Sequence, residues 1–326
     1  MQRPTDRKNG SGAVLNHQFT DIDRFTEQVQ SFSKVQTTQL SLGSFQCQLS
    51  LVAFNQVQVA FVKSFCPIFY TGEKPKNAIV LSCLLESTGP CLISHDRKLS
   101  HQTLAGLDPD LEVSFILPPD VHFVAVQINR KLFQDFLGVM ERQDLNQRLC
   151  SSNYMHIPAT IATVKTYLQQ LLHLIQHQPH FLKQAHTQKL VLDDFIPLLI
   201  NAIPPATQEI LKPPSVITRS RLVREAEEYM MAHIDQPLTL KQLCQALHIS
   251  ERPLFYGFQE VFCVSPMDYL KIQRLKHVRQ QLKLANPETN SVVEIAQKYG
   301  FWSAGHFARD YKAMFGELPS ETLKQA

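Results

Sequence analysis

The sequence predicts an α+β protein of two domains: a β-rich N-terminal unit, barrel or sandwich, with trailing helices, then an all-α unit carrying two helix-turn-helix motifs. Three observations lead there. Short β-branched and aromatic segments separated by Gly, Pro, Asn or Asp recur from Thr38 to Gln127. Helical periodicity takes over after about residue 130. Finally, the stretch from Thr239 to Phe315 repeats its own grammar: laid on each other, Ser250, Leu254, Phe258, Phe262 and Pro266 fall on Ser303, Phe307, Tyr311, Phe315 and Pro319.

In chain order, residues 1–18 are polar with clustered Gly and Ser and predict a loose tail. Phe19 to about Phe32 reads as a short helix. The segments QCQLSLVAF, VQVAFVKSF, AIVLSCLL, CLISH, EVSFIL and HFVAVQI then predict strands at near-regular spacing, as a small barrel or a double-layered sandwich requires. Arg130 to Met140 is amphipathic. From Ala159 to His177, Val164, Leu168, Leu171, Leu172 and Ile175 make one stripe, and a further helix is predicted from Gln184 to Ile200. Such a pair can pack on the sheet or across a homodimer, and the sequence leaves both open. Pro204, Pro205, Pro213 and Pro214 forbid a continuous helix, so the domains are expected at 1–203 and 219–326 with a connector at 204–218.

In the C-terminal unit, Thr239 with Gln242 three residues on predicts a capping box, followed by Leu240, Leu243, Ala246 and Leu247 at helical spacing. Ser250 is expected to cap the next helix, whose Leu254, Phe258, Val261 and Phe262 share one face while Arg252, Phe255, Tyr256 and Gln259 lie opposite. The first motif thus spans 239–262. In the second, 291–315, Val292, Val293, Ile295 and Ala296 form the short helix, Gly300 the turn and Ser303 the cap. Phe307, Tyr311, Met314 and Phe315 are then expected to face inward, leaving His306, Arg309 and Lys312 outward. Between the motifs, Ser265 and Pro266 open a helix to about Leu284, with Lys271, Arg274, Lys276, Arg279 and Lys283 predicted as its charged outer face.

TLKQLCQALHISERPLFYGFQEVFCVSPMDYLKIQRLKHVRQQL followed by EIAQKYGFWSAGHFARDYKAMFGELPSETL resembles the DNA-binding domain of the AraC/XylS family of bacterial transcription regulators, over roughly the last third of the chain. FYGFQEVF and GELPSETL are most similar to the branch containing the ethanolamine-operon regulator. One departure is Cys263, which stands where the family has a Gly ending the first recognition helix, whereas Gly316 keeps it in the second. The resemblance implies a cytoplasmic, sequence-specific, effector-responsive activator, and a cupin-like sensor domain at the N-terminus. It also implies double-stranded DNA and RNA polymerase as partners, with a small-molecule effector and an optional homodimer. Positions aligned with the family's base contacts are Arg252, Phe255 and Tyr256 in the first unit and Gly305, His306, Ala308 and Arg309 in the second, with Gln259 and Lys312 toward phosphates. Arg252 and Arg309 suit bidentate contact to guanine, and Phe255 or Tyr256 contact to a thymine methyl. Trp302, just before the cap, is expected to pack.

Composition narrows the remaining classes. The chain has 326 residues, 44% hydrophobic and 19% charged, enough for two cores, and a formal charge of +3 that says little about nucleic acid. The N-terminus lacks the apolar run of a signal peptide, and no stretch approaches a membrane span. Seven cysteines without a CxxC pair fit reduced thiols; Cys47, Cys66, Cys83, Cys91 and Cys150 read as small buried hydrophobes. The alternative is a cupin-type metal-dependent enzyme domain fused to a DNA-binding module. It needs imidazoles gathered on adjacent strands, whereas His95, His101 and His122 stand apart with no HxH pair. No GxSxG, phosphate loop or HExxH occurs. No catalytic residue, metal site or cofactor is therefore expected.

Overall fold

The computed structural model describes residues 13–54, 56–205, 215–216 and 219–325, without the side chains of 147, 150, 151, 215 and 216. The sequence readings at Cys150, Pro213 and Pro214 fall outside what is described. The elements follow as β1 (Ala13–Phe19), α1 (Ile22–Gln30), β2 (Lys34–Gln39), β3 (Cys47–Phe54), β4 (Val57–Ser64), β5 (Ile68–Glu73), β6 (Ala78–Leu84), β7 (Leu92–Ser94), β8 (Arg97–Leu99), β9 (Thr103–Ala105), β10 (Val113–Leu117) and β11 (His122–Asn129). Then come α2 (Arg130–Val139), α3 (Asp144–Ser151), β12 (Tyr154–His156), α4 (Ile161–His177), α5 (Ala185–Ala202) and β13 (Ser215–Val216). The C-terminal helices are α6 (Ser220–Ala232), α7 (Leu240–Ala246), α8 (Glu251–Val261), α9 (Pro266–Leu284), α10 (Val292–Lys298), α11 (Ala304–Phe315) and α12 (Pro319–Lys324).

Among the described residues the strands form two antiparallel sheets, ordered β1-β3-β4-β11-β6-β9-β12 and β13-β8-β7-β10-β5-β2. They do not close into one barrel. Leu49, Leu51 and Val62 of the first sheet meet Ile68, Tyr70 and Leu117 of the second in a shared core, as alternation along each strand dictates. The outer face of the first sheet, with Val52, Phe61, Val124 and Val126, is covered by α4 and α5 through Val164, Leu168, Phe195 and Leu199. On the outer face of the second sheet, Leu40, Ile93 and Ile116 pack with Val223, Leu254, Phe258 and Tyr269 of the C-terminal helices. The molecule is therefore layered: helices, sheet, sheet, C-terminal helices.

Several expectations change. Residues 13–18 are not the loose tail predicted: Ala13–Phe19 is a strand laid along β3 with His17 opposite Leu49, and the rest of that expectation, over residues 1–12, falls outside what is described. The helix predicted from Phe19 is shorter, since Asp21 caps it by accepting from the Asp23 and Arg24 amides. Among the described residues there are seven strands of two to seven residues beyond the six predicted, and the shortest, β8, β9, β12 and β13, were invisible to a pattern search because so few residues carry no periodicity. The outer face expected of α9 is only partly outer: Arg279 is 5% exposed, because α1 of the N-terminal unit lies across it. No helix among the described residues is long and apolar enough to cross a membrane.

Candidate nucleic-acid interface

The first motif begins where predicted. The Thr239 hydroxyl accepts from the Gln242 amide while the Gln242 side-chain oxygen accepts from the Thr239 amide at 2.9 Å, a reciprocal cap. Helix α7 then turns through His248, which takes φ 53, at the place where the second motif has Gly300 at φ 82. Likewise Cys263, at φ 62, ends the first recognition helix where Gly316, at φ 78, ends the second. The first copy thus holds the same two left-handed positions with side chains that cost about 1 kcal/mol each relative to glycine. Ser250 and Ser303 occupy their cap positions in extended conformation, yet neither hydroxyl bonds a helix amide, a difference from expectation.

On α8, Leu254 and Phe258 are fully buried and close the core with α6. Arg252, Phe255, Tyr256 and Gln259 lie on the exposed side, with Phe255 and Tyr256 nearly half accessible. Two guanidiniums flank the Tyr256 ring, Arg252 at 5.6 Å and Arg219 at 5.9 Å from its centroid, so cationic charge gathers around an exposed aromatic. The Gln259 side-chain amide donates to the Cys263 carbonyl at 3.2 Å, satisfying an end of the helix.

On α11, Phe307, Tyr311, Met314 and Phe315 are buried, while Gly305, His306, Arg309 and Lys312 are exposed and Ala308 is half-buried. The Arg309 side chain is 71% exposed and 3.8 Å from Asp310, whose carboxylate is mainly engaged by Lys271 at 2.5 Å. Trp302, expected to pack, is instead 71% exposed immediately before this helix. An indole preceding a cap looks the same in sequence whether it folds inward or out, so only the structure discloses its exposure. The two units are joined by α9, whose 19 residues span about 28 Å at 1.5 Å per residue, close to one turn of duplex DNA.

The histidines weighed for an enzyme site are engaged elsewhere. The His95 Nε2 donates to the Glu112 carbonyl at 2.9 Å, leaving Nδ1 as an acceptor within reach of the Ser94 hydroxyl at 2.9 Å and the Tyr154 hydroxyl at 3.0 Å. The rings of His101 and His122 bond the Glu86 carbonyl at 2.9 Å and the Glu86 carboxylate at 2.8 Å respectively. Cys47 and Cys83 are buried among apolar groups, which raises both thiols, Cys83 to about 12, and keeps them protonated.

A family model for a helix-turn-helix domain matches residues 243–325. A probable thc operon regulatory protein of Rhodococcus erythropolis is 44% identical over 103 residues, 32% of this chain and 31% of its own length. XylDLEGF operon transcriptional activator 2 of Pseudomonas putida is 37% identical over 98 residues, 29% of this chain and 61% of that one. Among solved structures, a probable AraC family transcriptional regulator from Rhodopseudomonas palustris CGA009 is 42% identical, covering 33% of this chain and 98% of that one, with a TM-score of 0.31. The chain thus spans about a third of the length of the first of these relatives, and the family-model match falls on its C-terminal helices.

Proposed function

Given that this chain belongs, through its C-terminal third, to the AraC family of helix-turn-helix regulators, we propose that it binds DNA sequence-specifically and activates transcription in response to an effector. The observation that carries this is the partition of both second helices: each buries one aromatic face, α8 and α11 in two separate cores, and leaves a face with arginine open to solvent. Arg252, Phe255 and Tyr256 of α8, and Gly305, His306, Ala308 and Arg309 of α11, are read as the base-facing set, with Gln259 and Lys312 toward phosphates. One protomer would address two successive major-groove segments, with RNA polymerase as the further partner and the cytoplasm as its compartment.

The facing sheets of residues 1–203 are read as a cupin-like sensor, joined to residues 219–326 through the segment 204–218. A homodimer through α4 and α5 would place two such units on repeated sites. The metal-dependent enzyme is not favoured, because His95 bonds the Glu112 carbonyl while His101 and His122 both bond Glu86, and no three metal-binding side chains gather among the described residues.

The test is selection of random DNA by the purified protein. The expected result is an asymmetric motif in two halves separated by about 10 base pairs. Retained fragments without any enriched motif would overturn the reading.

A further inference from the structure

The two recognition helices carry opposite formal charge. Helix α11 has Arg309 and Lys312 against Asp310, whereas α8 has Arg252 alone against Glu251 and Glu260. In the register that lays one motif on the other, Gln259 takes the place of Lys312. Gln259 brings no charge, and its side-chain amide already donates to the Cys263 carbonyl at 3.2 Å. A helix that is itself net negative is repelled by a polyanion unless cations reach it from elsewhere in the fold.

Helix α6 brings one. Gly257, on the buried side of α8, lets the two helices touch: a Cβ there would stand 2.7 Å from the Val223 Cγ2 and 3.4 Å from the Arg219 Cβ. This close approach sets Arg219, the N-cap residue of α6, beside the outward ring of Tyr256, at 5.9 Å from its centroid, with Arg252 at 5.6 Å. The aromatic ring gives the flat guanidinium a surface to rest on, which narrows the positions its donors can take. The Arg219 side chain is 46% exposed, and its carboxylate partner, Glu260 at 3.5 Å, is held closer by Lys98 of β8 at 2.9 Å. Two cations thus share one carboxylate, and with Arg252 they make the ground around Tyr256 positive although α8 is not.

We propose that Arg219 is a phosphate contact of the first recognition unit, the counterpart of Lys312 in the second, supplied by the helix that precedes the motif. The inference rests on the DNA-binding reading. Its ligand is the phosphodiester backbone: the guanidinium offers two parallel N–H donors to one pair of phosphate oxygens, on the flank of the base-facing Tyr256. The spacing of the motif does not mark Arg219, which stands 20 residues before Thr239, and only the contact of α6 with α8 brings it to the interface.

The experiment measures binding of the full chain, over a range of salt concentrations, to a fragment it selects from random DNA and to a scrambled fragment of the same length. Arg219→Gln should lower affinity about five- to ten-fold at about 0.1 M salt, alike for both fragments, and reduce the salt slope by about one. The preferred motif should stay the same. Arg219→Lys keeps the charge and should keep the slope, losing affinity only about two-fold. Glu260→Gln removes the competing carboxylate and should raise affinity for both fragments. Arg221→Gln removes the same charge from a side chain on the same helix that is 92% exposed and paired with Glu225 at 2.9 Å, and should leave the slope as it is. An Arg219→Gln chain that melts lower yet binds both fragments as the parent does would make Arg219 a strut of the fold and overturn the proposal. An equal loss in Arg221→Gln would reduce the effect to bulk charge, and a changed motif in Arg219→Gln would make the residue a base contact; either overturns it, as does weaker binding by Glu260→Gln. A parent chain that enriches no motif would sink the regulator reading itself, and this contact with it.

Discussion

Arg279 and Asp23 are 256 residues apart in the chain, yet the Nε of one donates to the Oδ2 of the other at 2.6 Å. Arg279 sits within α9, the helix joining the two motifs, and also bonds Asp21 at 2.6 Å and stacks over Phe315 at 4.4 Å. Asp21 is the cap of α1, so one guanidinium ties the first helix of the N-terminal unit to the rod of the C-terminal one. Lys283 reaches Asp23 at 2.6 Å and Lys276 reaches the Thr38 hydroxyl at 2.6 Å, extending the same seam. At its other end the N-terminal unit holds α6 and α8, so it grips the first helix-turn-helix unit as well as the helix that joins the two.

Arg279→Met should therefore destabilise the full chain. Removing one partner leaves two carboxylates in a partly covered seam, a loss of about 2–4 kcal/mol. In thermal unfolding the expected outcome is a lower first transition and a wider separation between the melting of the two units. An unchanged profile would mean the seam contributes nothing.

The same seam should respond to acid. Burial alone would raise the Asp23 carboxyl, but Arg279 and Lys283 hold it below the ordinary carboxylate value. A carboxyl with a lowered folded pKa stabilises fully above its unfolded value, about 4, and loses that contribution as pH falls through the folded value. The stability difference between the parent and Asp23→Asn should be constant near neutrality, begin to shrink below about pH 4 and vanish only below the lowered folded value. Chemical denaturation across that range measures it.

Arg309→Ala and Lys312→Ala should fail differently on DNA. Loss of Arg309 is expected to cost about 1–3 kcal/mol at a few base positions only. Loss of Lys312 should weaken all sequences alike and reduce the salt slope by about one. Matching sequence profiles for the two variants would contradict the assignment of base-facing and phosphate-facing roles.

Trp302→Ala tests the exposed indole. With 71% of the residue accessible, stability should change by no more than about 0.5 kcal/mol. DNA affinity in a gel-shift titration should nevertheless fall several-fold. A large drop in melting temperature with intact DNA binding would return Trp302 to a packing role.

His248→Gly and Cys263→Gly should each stabilise the C-terminal unit by about 0.5–1 kcal/mol, since both residues hold positive φ where the second motif has glycine. Urea midpoints of the two variants provide the check. A loss of stability at either position would show that the side chain's packing outweighs its backbone strain.

Much of the C-terminal unit was legible because its signals are local. The Thr239 and Gln242 pair, Ser265 before Pro266, and Gly300 and Gly316 each state a backbone conformation within a few residues. The duplicated spacing of Leu254, Phe258, Phe307 and Tyr311 states which face is buried. In the first motif the equivalent left-handed turn at His248 was not legible, since histidine carries no such conformational signature.

By itself, then, the sequence determined the two-unit organisation, the strands long enough to alternate, the tandem motifs and the polar face of each recognition helix. Periodicity reports which side of a helix is polar. It does not report whether water, a phosphate or a carboxylate lies across from that side. Only the tertiary structure decided that Arg279 faces Asp21 and Asp23, that Trp302 stands in solvent, and that Lys98 of β8 meets Glu260 of α8. Those outcomes depend on which distant surfaces meet, and the contacts that set them join residues hundreds of positions apart.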